Sequence, residues 1–384
     1  MRVLFIVNAL GEGGTEKSLA DLLPGLRDAG VESRILMLRS RGDEGVEQPL
    51  RRAGFDIGTI AATSAVGRIR AIRRVIRSFD PDIVHTMLFE AGLLGRLAAV
   101  RTGSTTLVSL VNQTYGAERR ADPRLRPWKL RVVQGVDLIL AHLVTDHFHA
   151  VSDAVRSDAV SGLLLPDDKV SVIRRGRRVE SLPVATSERR DRARMSLSLE
   201  YDAHVLVAVG RQEYAKGHRY LVEAMERLVD VPNLVLLVVG REGNETTVLQ
   251  RLMEVAGPTV SARIRFLGHR PDVAAVLAAG DVFVFPSLFE GMPGALIEAM
   301  AIGLPTVASD IDPIREVTEG VECGLLVPTR DADGLAAAIR RLLDDPEAAR
   351  QMGGAGRQAF EERYTIDASV AAFLDLYRDL VTTR

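Results

Sequence analysis

Short apolar runs recur through this chain, each followed by a turn and then by a segment with apolar residues every three or four positions. Runs at 2–8, 33–38, 82–85 and 106–111 read as strands, with helical patterns at 15–29, 66–78 and 92–101 among them. Val3-Leu-Phe-Ile-Val7 does not alternate with polar residues, so it predicts a strand buried on both faces. Strands of that kind separated by helices imply a parallel sheet covered by helices. The alternation begins again with strands at 205–210, 234–240, 264–267 and 282–286, and helices at 220–228, 246–255 and 273–278. Between the two series, around 169–182, Val-Ser-Val-Ile gives way to Arg174-Arg-Gly-Arg-Arg178 and Pro183, which reads as a linker. The chain of 384 residues is thus expected to form two doubly wound, Rossmann-like α/β domains. Their expected bounds are 1–175 and 176–365, with a closing helix at 366–384 packing back on the first domain.

Composition narrows the class. With 47% hydrophobic and 26% charged residues the chain is globular, and its single cysteine, Cys323, supplies neither an internal disulfide nor a zinc ligand set. That usage suits a reducing, cytoplasmic compartment. Arg2 and the apolar run after it superficially resemble a signal peptide, but Gly11-Glu-Gly-Gly14 follows where a cleavage site would stand, and a buried strand is the better reading. Apolar runs fall short of the roughly 20 residues of a membrane span, so membrane contact is expected only as peripheral contact at the inner face. The net charge of −2 conceals an asymmetry: residues 1–180 hold 27 Lys+Arg against 21 Asp+Glu, leaving 22 against 30 for the remainder. A basic first half suits an anionic acceptor or lipid headgroups, and equally suits a scattered, solvated charge. No nucleic-acid partner is expected.

Ligands of doubly wound sheets bind outside the carboxyl ends of the strands, so the residues following each strand carry the chemistry. Leu-Phe-Glu occurs there twice, at 88–90 and 288–290, and two such edges facing one another would enclose an interdomain cleft. The second copy opens a segment with two carboxylates, Glu290 and Glu298. Met292-Pro-Gly-Ala295 places a proline where a helix commonly begins. Glu290 then lies in the turn and Glu298 inside the helix. The free amides from Gly291 to Leu296 form an anion site, and Gly291 and Gly294 allow a phosphate close to the main chain. Positive charge is available after the strand at 205–210, in Val209-Gly-Arg-Gln-Glu-Tyr-Ala-Lys-Gly217. Arg211 suits bidentate phosphate contacts and Lys216 a point charge. Lysine occurs only at 17, 129, 169 and 216 against 45 arginines, which singles out Lys216, although a surface lysine in a turn is the plain alternative.

These residues resemble the retaining glycosyltransferases of family 4, also called group 1, which have the GT-B fold of two facing Rossmann-like domains. The resemblance rests on Gly13-Gly-Thr-Glu16, Ala150-Val-Ser-Asp153, Val209-Gly-Arg with Lys216-Gly217, Glu290-x7-Glu298, Gly303-Leu-Pro-Thr-Val-Ala308 and Cys323-Gly-Leu-Leu-Val-Pro328. It implies a hexosyltransferase that moves a sugar from a nucleotide diphosphate donor, UDP favoured over GDP, to a hydroxyl acceptor, without metal or other cofactor. The acceptor would be a lipid-linked glycan, a polysaccharide or a small molecule. Arg211 and Lys216 would stabilise the leaving diphosphate, Glu290 would contact the sugar, and Glu298 would hold the ribose. Gly13, Gly14, Gly268, Gly291, Met292, Pro293, Gly294, Ala295 and Leu296 would line the donor, with Gly268 at the base. Thr15, Glu16, His85 and Glu90 are candidates on the acceptor side. The resemblance leaves open whether Glu290 is a nucleophile or a bystander to same-face substitution.

Several features depart from the family or allow other readings. Asp80-Pro-Asp82, Asp310-Ile-Asp312 and Asp331-Ala-Asp333 spell the metal-binding D-x-D of another transferase fold, but each sits where a structural role is expected, the last as a helix cap. Where relatives show His-x-His this chain has His85-Thr-Met87, so His85 either lines the cleft or is a satisfied strand-end histidine, with Glu90 a substitute for the lost partner. Arg174-Arg-Gly-Arg-Arg178 either solvates a hinge or meets an anion. Residues 119–131 carry Trp128, five arginines and Lys129, a composition suited to a membrane surface, but Pro123 and Pro127 favour an exposed loop. An NAD(P)-dependent oxidoreductase is the rival enzyme, weakened by Glu16 where the dinucleotide fingerprint wants a small residue. A non-catalytic sugar-nucleotide-binding scaffold is the rival from another class.

Overall fold

Unbroken apolar runs do become strands buried on both faces: Val3, Leu4, Phe5 and Ile6 are wholly inaccessible in the first strand. The structure, a computed structural model, describes residues 1–382 apart from 12, 41, 43, 44 and 121–125. The chain divides into two units, residues 1–176 with 366–384, and residues 177–365.

The first unit is built on a seven-stranded sheet. Its strands are β1 (Arg2–Val7), β2 (Glu32–Met37), β3 (Asp56–Thr59), β4 (Ile83–Met87), β5 (Thr105–Leu110), β6 (His147–Ala150) and β7 (Val170–Val172). They lie in the order β3-β2-β1-β4-β5-β6-β7, every adjacent pair parallel. One face packs on the helices Gly14–Asp28 and Ile366–Thr382 through Leu19, Leu23, Phe373 and Tyr377, and the other on Ala65–Phe79 and Phe89–Ala99 through Ile72, Ile76, Leu94 and Ala98. A Cβ on Gly25 would stand 2.6 Å from Val370 Cγ2, so the last helix lies directly against the first.

The second unit holds β8 (His204–Val209), β9 (Leu234–Val239), β10 (Ile264–Gly268), β11 (Val282–Phe285), β12 (Thr306–Ser309) and β13 (Gly324–Val327). The order is β10-β9-β8-β11-β12-β13, again wholly parallel. Both units are doubly wound α/β domains, as the repeated strand-helix alternation requires.

Five strands escape the apolar-run criterion. In β3, Asp-Ile-Gly-Thr has one large apolar residue, and in β6, His-Phe-His-Ala interposes histidines. Two more, β12 and β13, coincide with motifs quoted above for other reasons. Strands of three and four residues persist through pairing with segments distant in sequence, which local composition does not report. The expected linker is corrected in part: residues 170–172 form β7, the edge strand of the first sheet.

Candidate active site

In each sheet the strand order reverses once, between β1 and β4 and between β8 and β11. Loops on either side of such a reversal diverge and leave a crevice at the carboxyl edge. Both Leu-Phe-Glu tripeptides follow the strand beside that point, at the ends of β4 and β11.

In the second unit the two diverging loops are stitched together. After β8 the chain runs through Arg211 to a single 3-10 turn, Tyr214–Lys216, and turns into the helix His218–Glu226 at Gly217, whose φ is +61°. A side chain at Gly217 would run into the carbonyl of Pro286, so only glycine permits this approach of the two loops. Leu288 N–H donates to the Ala215 carbonyl at 2.8 Å. Lys216 is thereby set against Glu290, with Nζ donating to Oε1 at 2.5 Å, although the two lie 74 positions apart. The pair is well sheltered, with 24% and 11% of the side chains exposed. Arg211 leaves the same strand end but its guanidinium pairs with Glu213, 2.8 Å away, and stays largely exposed.

Glu298 lies within the helix Gly294–Ile302, buried, and accepts from Arg177 Nε at 2.9 Å. The Arg177 guanidinium also reaches the start of that helix, since a Cβ on Gly294 would stand 2.8 Å from its Nη2. This corrects one reading of Arg174-Arg-Gly-Arg-Arg178: at least Arg177 is no solvated hinge residue but is buried, with its N–H donating to the Tyr364 carbonyl. Met292, Pro293 and Leu296 turn inward, so this loop presents main chain more than side chains. Pro293 occupies the N-cap position, just before the helix starts. Gly268 ends β10 with φ +65°, and Gly240 N–H donates to its carbonyl at 2.8 Å. Gly210, Gly240 and Gly268 thus end three adjacent strands without a Cβ along the sheet edge, a row of which Gly240 is the member that sequence reasoning did not single out.

Two buried groups beside Lys216 and Glu290 also escape sequence reasoning. His218 Nδ1 and Ser287 Oγ are among the described buried atoms that have no hydrogen-bond partner. Burial first, then the charge of Lys216, pulls the His218 pKa down to about 4, so the ring is neutral at ordinary pH.

The first unit repeats the construction with other residues. Ala91 N–H donates to Asn8 Oδ1 at 2.9 Å, joining the loops after β4 and β1. Gly13 caps the helix Gly14–Asp28 and a Cβ there would strike the Glu16 carboxylate, which lies over the helix start. A Cβ on Gly14 would come within 3.3 Å of Arg175 Nη1. Both helix starts, Gly14 and Gly294, therefore receive an arginine from one short run. A small cavity of about 40 Å³ is lined by Thr15, Ser18, Met87, His149, Arg175 and Phe373 among others. Glu90 is held by Arg39 and Arg68, both at 2.7 Å.

The reading of His85 as a ligand-facing residue is corrected, because it is wholly buried and saturated. Nε2 meets Ser109 Oγ at 2.7 Å and Nδ1 meets Tyr377 Oη at 2.8 Å; Ser109 Oγ continues to His149 Nδ1 at 2.8 Å, and His149 Nε2 to the Ile173 carbonyl at 2.9 Å. A carbonyl only accepts, so with neutral rings the whole chain has one direction: His149 Nε2–H donates to Ile173, Ser109 donates to His149, His85 Nε2–H donates to Ser109, and Tyr377 donates to His85. Burial lowers the pKa of both rings, that of His149 to about 4.

Five of the six D-x-D carboxylates have a structural partner among the described residues. Asp82 accepts from the Arg2 amide at 2.8 Å, Asp310 and Asp312 pair with Arg315, Asp331 caps its helix through Gly334 N–H, Asp333 pairs with Arg227, and Asp80 ends a helix in the left-handed region. Among the described residues, no group of three or more His, Cys, Asp or Glu side chains is arranged to hold a metal.

Known proteins resemble this chain over most of its length. A family model described as Glycosyltransferase Family 4 matches residues 12–181, and one described as Glycosyl transferases group 1 matches residues 203–345. The chain is 27% identical over 318 residues to the UDP-Gal:alpha-D-GlcNAc-diphosphoundecaprenol alpha-1,3-galactosyltransferase of Escherichia coli, covering 82% of this chain and 79% of that one. It is 27% identical over 387 residues to the lipopolysaccharide core biosynthesis glycosyltransferase LpsD of Rhizobium meliloti, covering 95% of each. Among solved structures, Anabaena HepE in complex with UDP and glucose superposes with a TM-score of 0.85 at 18% identity, over 99% of this chain and 100% of that one.

Proposed function

Because the chain belongs to the family 4, group 1 glycosyltransferases and has their GT-B fold of two doubly wound domains, we propose that it moves a sugar from a UDP-sugar to a hydroxyl acceptor with retention and without a metal. The observation that carries this reading is the Lys216–Glu290 pair at the strand reversal of the second unit. Transfer breaks the bond between the anomeric carbon and the diphosphate oxygen and forms one to the acceptor oxygen. Positive charge grows on the sugar and negative charge on the leaving nucleotide. Lys216 and Arg211 stabilise the latter, helped by the amides at the start of the helix Gly294–Ile302. Glu290 stands where it stabilises the former. Its engagement by an ammonium favours electrostatic support over attack on the sugar, and hence same-face substitution in which the leaving phosphate takes the acceptor proton. Fixed cations acting on the diphosphate are the ground for proposing independence from metal.

Glu298 holds the ribose with its carboxylate oriented by Arg177, and Gly268 lies at the base. UDP is preferred because the named galactosyltransferase relative uses UDP-Gal and HepE was solved with UDP. The acceptor, a lipid-linked glycan, a polysaccharide or a small molecule, is recognised by residues of the first unit near Gly14, Thr15 and Arg175. The enzyme works in the cytoplasm.

A thermal-shift panel of UDP, GDP, ADP and NAD(P) tests the donor, with UDP expected to stabilise; stabilisation by NAD(P) alone would overturn the reading. Transfer from UDP-sugar should persist in excess chelator and fall by about a hundredfold or more in Lys216→Ala and Glu290→Gln. Glu298→Gln should weaken UDP binding in calorimetry, and unchanged affinity removes its ribose role.

A further inference from the structure

The basic segment read as an exposed loop is in large part a helix. Residues 121–125, including Pro123, lie outside the described residues, but Pro127 starts the helix Pro127–Leu143 as a first-turn proline instead of interrupting one. Along this helix Trp128, Val132, Val136, Ile139 and Leu143 are exposed by between 38% and 76%. At 3.6 residues per turn these five positions fall within an arc of about 80°. A soluble helix ordinarily turns such a stripe inward. Here the inward face is instead supplied by Asp137, Leu140 and Ala141. His142 Nε2 is 3.0 Å from the Leu163 carbonyl, and Leu164, 70% exposed, extends the apolar surface beyond the end of the helix.

The charges beside the stripe have one sign. On the same wheel Lys129 borders it on one side and Arg131 on the other, both exposed. The only carboxylate of the helix, Asp137, is buried and neutralised by Arg96, with the Tyr115 hydroxyl donating to it. An outward face with an apolar centre, cationic borders and no anion of its own matches the interface of an anionic bilayer. No helix among the described residues is long and apolar enough to cross a membrane, so the helix would lie in the interfacial plane. A two-fold pairing with a second copy fits less well, because it brings the same cations together.

We propose that the helix Pro127–Leu143 docks the first unit on anionic lipid headgroups, with the Trp128-to-Leu143 stripe entering the acyl boundary. The inference stands apart from the transferase reading, since binding needs no donor. Trp128 is the only tryptophan in the chain, so intrinsic fluorescence reports on this stripe alone. The full chain is titrated with vesicles of phosphatidylcholine, and with vesicles containing about one-third phosphatidylglycerol. Emission should shift to shorter wavelength, and the protein co-sediment, with the anionic vesicles, less so as salt rises. The double substitution Lys129→Gln, Arg131→Gln should weaken binding about twenty-five-fold, at roughly fivefold per basic residue. Ile139→Ser with Leu143→Ser should weaken it more than tenfold. These side chains face solvent, so melting temperatures should not move. Absence of binding to anionic vesicles at low salt, or undiminished binding of both variants, overturns the proposal. So does self-association without lipid that both variants abolish, which assigns the stripe to a second copy.

Discussion

Replacing Tyr377 by phenylalanine tests the directional chain from Tyr377 through His85, Ser109 and His149 to Ile173. The ring stays, and only the hydroxyl that donates to His85 Nδ1 is lost. Because His85 is completely buried, that nitrogen is left as an unsatisfied acceptor, which costs about 1–3 kcal/mol. Ser109→Ala strands two nitrogens, His85 Nε2 and His149 Nδ1, and should cost about twice as much. Urea unfolding followed by Trp128 fluorescence reads the first unit selectively, since the lone tryptophan lies there. The pH dependence has a definite sign. His149 titrates near 4 in the folded chain and near 6.5 when unfolded, so the unfolded chain takes up the proton first. The neutral ring's contribution is therefore complete above roughly pH 6.5 and drains away toward about pH 4. From roughly pH 7 to roughly pH 5 the loss from His149 alone is about 2 kcal/mol, and His85, shifted in the same direction, adds to it. Tyr377→Phe unfolding within about 0.3 kcal/mol of the parent, or a stability of this unit that is flat between those pH values, would refute the chain of tautomers.

Two further perturbations bear on the donor side. Gly217→Ala adds a methyl group against the Pro286 carbonyl at φ +61°, and should cost about 1–3 kcal/mol while lowering transfer by displacing Lys216; a fully active, equally stable variant contradicts the stitched-loop geometry. Arg177→Met removes the guanidinium from the buried Glu298 carboxylate and should destabilise by about 3–5 kcal/mol, with most of the loss recovered on adding Glu298→Leu; additive losses in that cycle would show the pair uncoupled.

Much of the architecture is written locally. Apolar runs buried on both faces and helices between them require parallel, doubly wound sheets, whatever the rest of the chain does. Turn chemistry is equally local: it placed Lys216 and Glu290 in loops at strand ends, and the reversal of strand order then brought them into contact. What local pattern does not carry is partnership. Nothing near Glu298 announces that Arg177, 121 positions away, lies against it in the interior, nor that Tyr377 meets His85 across 292 positions. For the same reason Pro127 looked like a helix breaker, although a proline is equally at home in a first turn, and the stripe beyond it became visible only once burial showed which face the domain had already covered. Residue type and spacing determine which elements form and where their ends lie. Whether a polar group on such an element meets solvent, a ligand or a buried counter-charge is decided by the packing of segments distant in sequence, because burial and pairing depend on distances in space.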